Sequence, residues 1–247
     1  MAQVSGRTGF NGSALVRLLS RLCEVDVREP RQVTADRLSQ WFGWTDAISL
    51  SAALNGNPAA SPSGTRASSD AEENECNRVR AALTSGIAQD SAFLPAPASA
   101  QFTQFTKAPA PKDTAIDTPV APTAPIAFAP YRQRYLARQQ AMDAAVGPLR
   151  GRLRARLAGT SPAMARLAGV DVVMEQVLGT QERSLLASVP TLLEKHFKRL
   201  RDASPDGWLD TFHQDARDLL LAELDLRFQP VDGLLEALRT RHKDLPP

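Results

Sequence analysis

Between residues 130 and 242 the apolar positions repeat at helical spacing almost without interruption. In APYRQRYLARQQAMDAAVGPLRGRLRARLAG, Tyr135, Met142, Val146, Leu149, Leu153 and Leu157 recur at steps of seven, four, three, four and four. Such steps keep one stripe on a helix, and a period near 3.5 suits a long helix packed lengthwise on a neighbour. Pro130 fits the first turn of this arm, and Gly147-Pro148 is expected to bend it. Ser161-Pro162 caps a second arm with Leu167, Val170, Met174 and Val177 in register. After Gly179 a row of Leu186, Val189, Leu193, His196 or Phe197, and Leu200 continues, with Pro190 a further expected bend. SPDG at 204–207 is a turn by residue type. The last arm presents Leu209, Phe212, Ala216, Leu219, Leu220 and Leu224, and Pro230 is expected to set off a closing helix with Leu234, Leu235 and Leu238. Three long arms joined by short turns predict an all-α, elongated antiparallel bundle of coiled-coil character. A run of about 28 residues spans roughly 40 Å at 1.5 Å per residue.

The N-terminal part is patterned more weakly. Asn11 or Ser13 caps a first helix with Leu15, Leu18, Leu19 and Leu22 on one face, and Pro30 ends the segment that follows. Thr34 opens TADRLSQWFGWTDAISLSAALN, with Leu38, Trp41, Phe42, Thr45, Ile48 and Ala52 on one side; Gly43 bends it, or Thr45 caps a fresh start. A further helix places Cys76, Val79, Leu83 and Ile87 on a narrow stripe, with Asp70, Glu72 and Glu73 at its positive end. The expected organisation is a helical module over 1–54, a linker over 55–69, a single helix over 70–89 packing on the module or the bundle, a disordered Ala/Pro-rich tether over 90–129, the bundle over 130–242 and a tail over 243–247.

Composition adds boundaries. The chain has 247 residues, 43% hydrophobic, enough for a core in one or two domains, and 6% aromatic favours helix over sheet. A net charge of +2 does not write nucleic-acid affinity into the whole chain. Locally, however, residues 131–157 carry seven arginines against the single acid Asp143, while 202–244 are acid-rich, so the two arms either attract each other or face partners of opposite sign. No signal peptide and no run of apolar residues long enough to span a bilayer are evident, and only Cys23 and Cys76 are present, which together suggest the cytoplasm.

Two constellations stand out as binding candidates. Arg150, Arg152, Arg154 and Arg156 alternate beside the leucine stripe, as phosphate-clamping residues can, although their heads can equally pair with acids of the same chain. Trp41, Phe42 and Trp44 load four positions with aromatic surface, suited either to a core or to anchoring a partner. Asp210 and His213 stand three apart on one helical face, but two ligands are not a metal site. Phosphate loops, nucleophile elbows, CxxC pairs and HExxH are absent from the sequence. No catalytic residue, metal or cofactor is therefore expected.

The segments RTGFNGSALVRLLSRL, VDVREPRQVTADRLSQW, TDAISLSAALN, FAPYRQRYLARQQAMDAAVGPLR and LLASVPTLLEKHF together resemble an uncharacterised proteobacterial family of about this length. Members of that family are encoded beside a MotA-like gene, an OmpA/MotB-like gene and another small protein, a grouping similar to the type III form of the Zorya anti-phage defence system. The resemblance implies a cytoplasmic accessory component recruited to an inner-membrane, ion-driven motor, and it carries over no functional residue. Expected partners are the cytoplasmic tail of the MotA-like subunit and the small co-encoded protein, with self-association also open. The first reading is a non-enzymatic adaptor. The alternative is an effector that contacts DNA through Arg150 to Arg156, with a hidden nuclease a weaker third.

Overall fold

The computed structural model describes residues 13–24, 34–56, 69–94, 126–203 and 206–243. Seven α-helices are formed among them: α1 (Ala14–Cys23), α2 (Thr34–Trp41), α3 (Trp44–Asn55), α4 (Ser69–Ala88), α5 (Ala129–Ala158), α6 (Pro162–Ala203) and α7 (Trp208–Lys243). A 3-10 turn, Ser91–Phe93, follows α4. The segment expected to end at Pro30, most of the 55–69 linker and residues 95–125 of the tether lie outside the described residues, as do 244–247 of the tail.

The all-helical bundle expected from the patterning is what forms. Cross-helix contacts fix its directions. Phe128 meets Phe197, Gln139 bonds to the carbonyl of Leu186 and Arg150 reaches Asp171, so α5 and α6 run antiparallel. Tyr135 meets Glu223 and Asp143 meets Arg227, so α5 and α7 run parallel with α6 antiparallel to both. Arg80 pairs with Asp232 and Glu73 with Arg239, while Arg152 pairs with Glu75 and Arg138 with Asp90. These pairs lay α4 antiparallel along both α5 and α7. At 1.5 Å per residue the 42-residue α6 is about 63 Å long, the length of the rod.

The row Tyr135, Met142, Val146, Leu149, Leu153 and Leu157 is buried throughout. One continuous apolar cluster joins it to Leu186, Val189, Leu193 and Phe197 of α6, to Phe212, Leu219, Leu224 and Val231 of α7, and to Cys76 and Ile87 of α4. Leu15 and Leu22 of α1 belong to the same cluster, so α1 is part of the body rather than of a separate module. At one end, rings of Phe128, Tyr131, Phe197, Trp208 and Phe212 pack edge to face, with Phe197 4.9 Å from Trp208 and 5.0 Å from Phe212. Gly207, at φ +73, supplies the left-handed residue of the α6–α7 turn.

The break expected at Pro230 does not occur, and the two prolines expected to bend their arms fall inside continuous helices. Pro148 and Pro190 lie inside α5 and α6, Pro230 lies inside α7, and α6 runs straight through Gly179. Each proline removes one backbone hydrogen bond, a local cost of about 3 kcal/mol, and apolar rows anchored on both sides outweigh it. The expected row at the start of α6 also shifts. Leu167 is exposed, while Ala168, Val173 and Val177 are buried. Val173 and Val177 stand outside the continuous core, one and two turns from Gly169, where a Cβ would lie 3.4 Å from Ala53 of α3. The first half of α6 is thus covered on two sides, by the bundle and by α3, and a single stripe does not describe it.

The edges of the expected tether are packed. Asp90 is buried, accepts from the Ala92 amide at 3.2 Å as the cap of the 3-10 turn, and receives Arg134 at 2.8 Å and Arg138 at 2.5 Å. Phe93 is buried against Tyr131. Among the described residues no helix is long and apolar enough to cross a membrane.

Candidate functional site

The break between α2 and α3 decides what the N-terminal aromatics do. Phe42 and Gly43 leave the helix, and the Asp46 carboxylate accepts from the Gly43 amide at 3.0 Å, starting α3 afresh at Trp44. Restarting resets the helical phase, so the continuous row expected through Thr45, Ile48 and Ala52 is not the packed one. On α3 the half-buried side carries Asp46, Ser49, Leu50 and Ala53, with Ala53 above Gly169 of α6. The outward side carries Trp44, 83% exposed, and Ile48, 54% exposed, with exposed Ala47, Ser51, Ala52 and Asn55, and exposed Thr45 and Leu54 at its edges. Trp41 and Phe42 are half-buried. Of the three aromatics proposed as anchors, the structure offers only Trp44 fully to solvent.

The four arginines of α5 are each met by acids. Arg150 forms a fork to Asp171 at 2.9 and 2.6 Å and reaches Glu175 at 3.5 Å. Arg154 meets the same two residues, Arg152 meets Glu75 of α4 at 3.0 Å, and Arg156 meets Glu72 at 3.4 Å. The side chains of Arg150 and Arg154 are only 13% and 15% exposed. Hydrogen bonds from Arg78 and then Arg152 hold the Glu75 carboxyl down to about 2. The row therefore ties α5 to α4 on one side and to α6 on the other. The acids come from these helices and not from the acid-rich last arm.

Three polar clusters that the sequence did not reveal lie inside the body. In the first, the buried Glu223 carboxylate accepts from the Tyr135 hydroxyl at 2.9 Å and from the Gln139 amide at 3.0 and 2.9 Å, while that amide also donates to the Leu186 carbonyl at 3.1 Å. Burial pushes the Glu223 carboxyl up, against the bonds from Gln139 and Tyr135 that pull it down. In the second, Arg199 donates to His196 Nδ1 at 3.0 Å, so Nε2 carries the hydrogen and donates to Asp215 at 2.8 Å. Arg21 of α1 closes on Asp215 at 2.8 Å and Arg199 also donates to the Leu22 carbonyl, which docks α1 on α6 and α7. Asp90 with its two arginines is the third. His213 faces Tyr131 at 3.3 Å, and burial lowers it from its ordinary value. Among the described residues no three His, Cys, Asp or Glu side chains gather as metal ligands, and Asp210 and His213 acquire no third partner of that kind. A solvent-open cleft of about 390 Å³ lies where Phe128 and Arg132 meet Phe197, Lys198 and Arg201, and the acid in it, Glu194, is already paired with Lys198 at 2.7 Å.

Among the described residues the arrangement is an all-helical body whose buried polar clusters join one element to another, with an uncharged outer face on α3. The chain belongs to the DUF3348 family, described as a protein of unknown function, whose model matches residues 1–240. No curated protein and no solved structure matches the chain.

Proposed function

We propose that the chain is a non-enzymatic interaction protein whose working surface is the outer face of α3 and whose ligand is another helix. The observation that carries this is the exposure of Trp44 and Ile48 on a face with no charged side chain. A large indole left in water on a short helix costs solvation that contact with a partner recovers, and buried aromatic anchors dominate interface energies. The clusters around Glu223, His196 and Asp90 fit the same reading, since each spends its polar groups on tying one element of the body to another.

The resemblance to a Zorya type III component sets the context: an accessory protein acting beside a MotA-like subunit, an OmpA/MotB-like subunit and a small co-encoded protein. DNA contact through Arg150, Arg152, Arg154 and Arg156 is the weaker reading, because paired guanidinium groups have less to gain from phosphate. The test is co-expression of the tagged full chain with the proteins encoded beside its gene, followed by purification at low salt. Retention of at least one neighbour, weakened by Ile48→Glu, is the expected result; a chain that holds none of them loses this role.

A further inference from the structure

The partner of this face, we infer, is a second copy of the chain, whose own α3 packs antiparallel against it so that Trp44 of each copy covers the Ser51–Asn55 end of the other. This inference rests on the assignment of α3 as the working surface and names what occupies it.

Geometry selects the face. At 100° per residue Trp44, Ile48, Ser51 and Asn55 fall within about 60° of one another on the helix, with Ala47 and Ala52 at their flanks. All six are exposed. The one charged residue of α3, Asp46, lies on the other side and is engaged by the Gly43 amide. Residues 44, 48, 51 and 55 also follow the four-three-four spacing of a helix-pairing seam.

Charge and size then select the occupant. A two-fold interface sets a surface against itself, so a charged row would repel its copy, and this row carries no charge. Along the centre of the row bulk is unevenly placed, with Trp44 and Ile48 in the first half and Ser51 and Asn55 in the second, while Leu54, 55% exposed, lies on the flank with Ala47. Antiparallel pairing opposes 44 with 55 and 48 with 51, large against small, and aligns the helix dipoles favourably. Parallel pairing would stack indole on indole at one end and leave small residues facing one another at the other. The helix is about 18 Å long, so the paired faces bury less than the roughly 1,200 Å² of a stable interface, and the association is of the weak, concentration-dependent kind.

The test is the mass of the full chain by sedimentation and light scattering from about 5 to 200 µM, a range that brackets a micromolar dissociation constant. The mass is expected to rise from one chain towards two. Ile48→Glu, at a position already exposed in the single copy, sets two carboxylates beside the axis and weakens association at least about tenfold, with unchanged helical circular dichroism. Leu185→Glu, at an apolar residue of α6 that is 65% exposed and away from the face, leaves association as it was. In a Cys23→Ser background, chains with Ile48→Cys and chains with Ser51→Cys cross-link to each other faster than either does to itself. A monomer at every concentration overturns the inference, and so does a dimer that Ile48→Glu leaves intact or Leu185→Glu dissolves. A monomer that still holds its co-encoded proteins removes self-pairing and keeps the interaction role; a dimer that holds none of them does the reverse.

Discussion

Replacing Glu223 tests whether its cluster is a lock between helices. The carboxylate is fully buried on α7 and its partners, Tyr135 and Gln139, are fully and almost fully buried on α5. In Glu223→Ala the Tyr135 hydroxyl and one Gln139 hydrogen lose their acceptor, while the other Gln139 hydrogen keeps the Leu186 carbonyl. Each orphaned donor costs about 1–3 kcal/mol and the vacated side-chain volume adds to it, so a loss of about 3–5 kcal/mol is expected. That is a large part of the roughly 5–15 kcal/mol that separates a folded domain from its unfolded chain. Glu223→Gln keeps an acceptor for both donors and removes a charge that burial penalises, so near neutral pH it is expected to stay within about 1 kcal/mol of the native chain. The pH dependence has a definite sign. A carboxyl raised above its ordinary value of 4.5 contributes stability that is full below that value and is lost as pH rises through the raised one. The native chain therefore loses stability relative to Glu223→Gln as pH rises above about 4.5 and through the raised value. Urea unfolding followed by circular dichroism across a pH series rising from about 4.5 measures both effects. A Glu223→Ala chain less than about 1 kcal/mol weaker than native, or a native-to-glutamine difference that moves the other way with pH, refutes this account.

Two further outcomes follow from the other clusters. Asp90→Asn keeps the cap but weakens the bonds from Arg134 and Arg138, so thermal unfolding should show a loss of about 3 kcal/mol. Burial alone would raise the Asp90 carboxyl, but those two arginines outweigh it and hold it below its ordinary 3.8, so its contribution is present above that value and disappears as pH falls through the lowered one. For the arginine row, no shift of duplex DNA is expected at about 50 mM salt; a salt-dependent shift abolished by changing Arg150, Arg152, Arg154 and Arg156 to Ala would restore the nucleic-acid reading.

The long helices were legible because their packing is periodic. Tyr135 to Leu157 is buried as the spacing implies, and so is the row from Leu186 to Phe197. What spacing did not convey was how many neighbours each helix has. The first half of α6 touches the bundle on one side and α3 on another, so Val177 is buried as the stripe implied, but Ala168 and Val173 are buried while Leu167 is exposed. Pro230 was read as a break because a proline's cost is local and visible, whereas the contacts that override it come from helices distant in sequence.

The interior polar residues hold the more useful lesson. Gln139 falls between Tyr135 and Met142 on the stripe itself, and Glu223 falls four after Leu219. A polar residue inside an apolar seam is a recognised device for fixing register, and here the two positions find each other across α5 and α7. Both lie on parallel helices, where a slip of one turn would move each partner about 5.4 Å and strand a carboxylate in leucine. The pair therefore penalises misregistered packings more than it stabilises the correct one. Gln139 also donates to the Leu186 carbonyl, so the same cluster sets α6 against α5 and, with it, the acids Asp171 and Glu175 that α6 presents to Arg150 and Arg154.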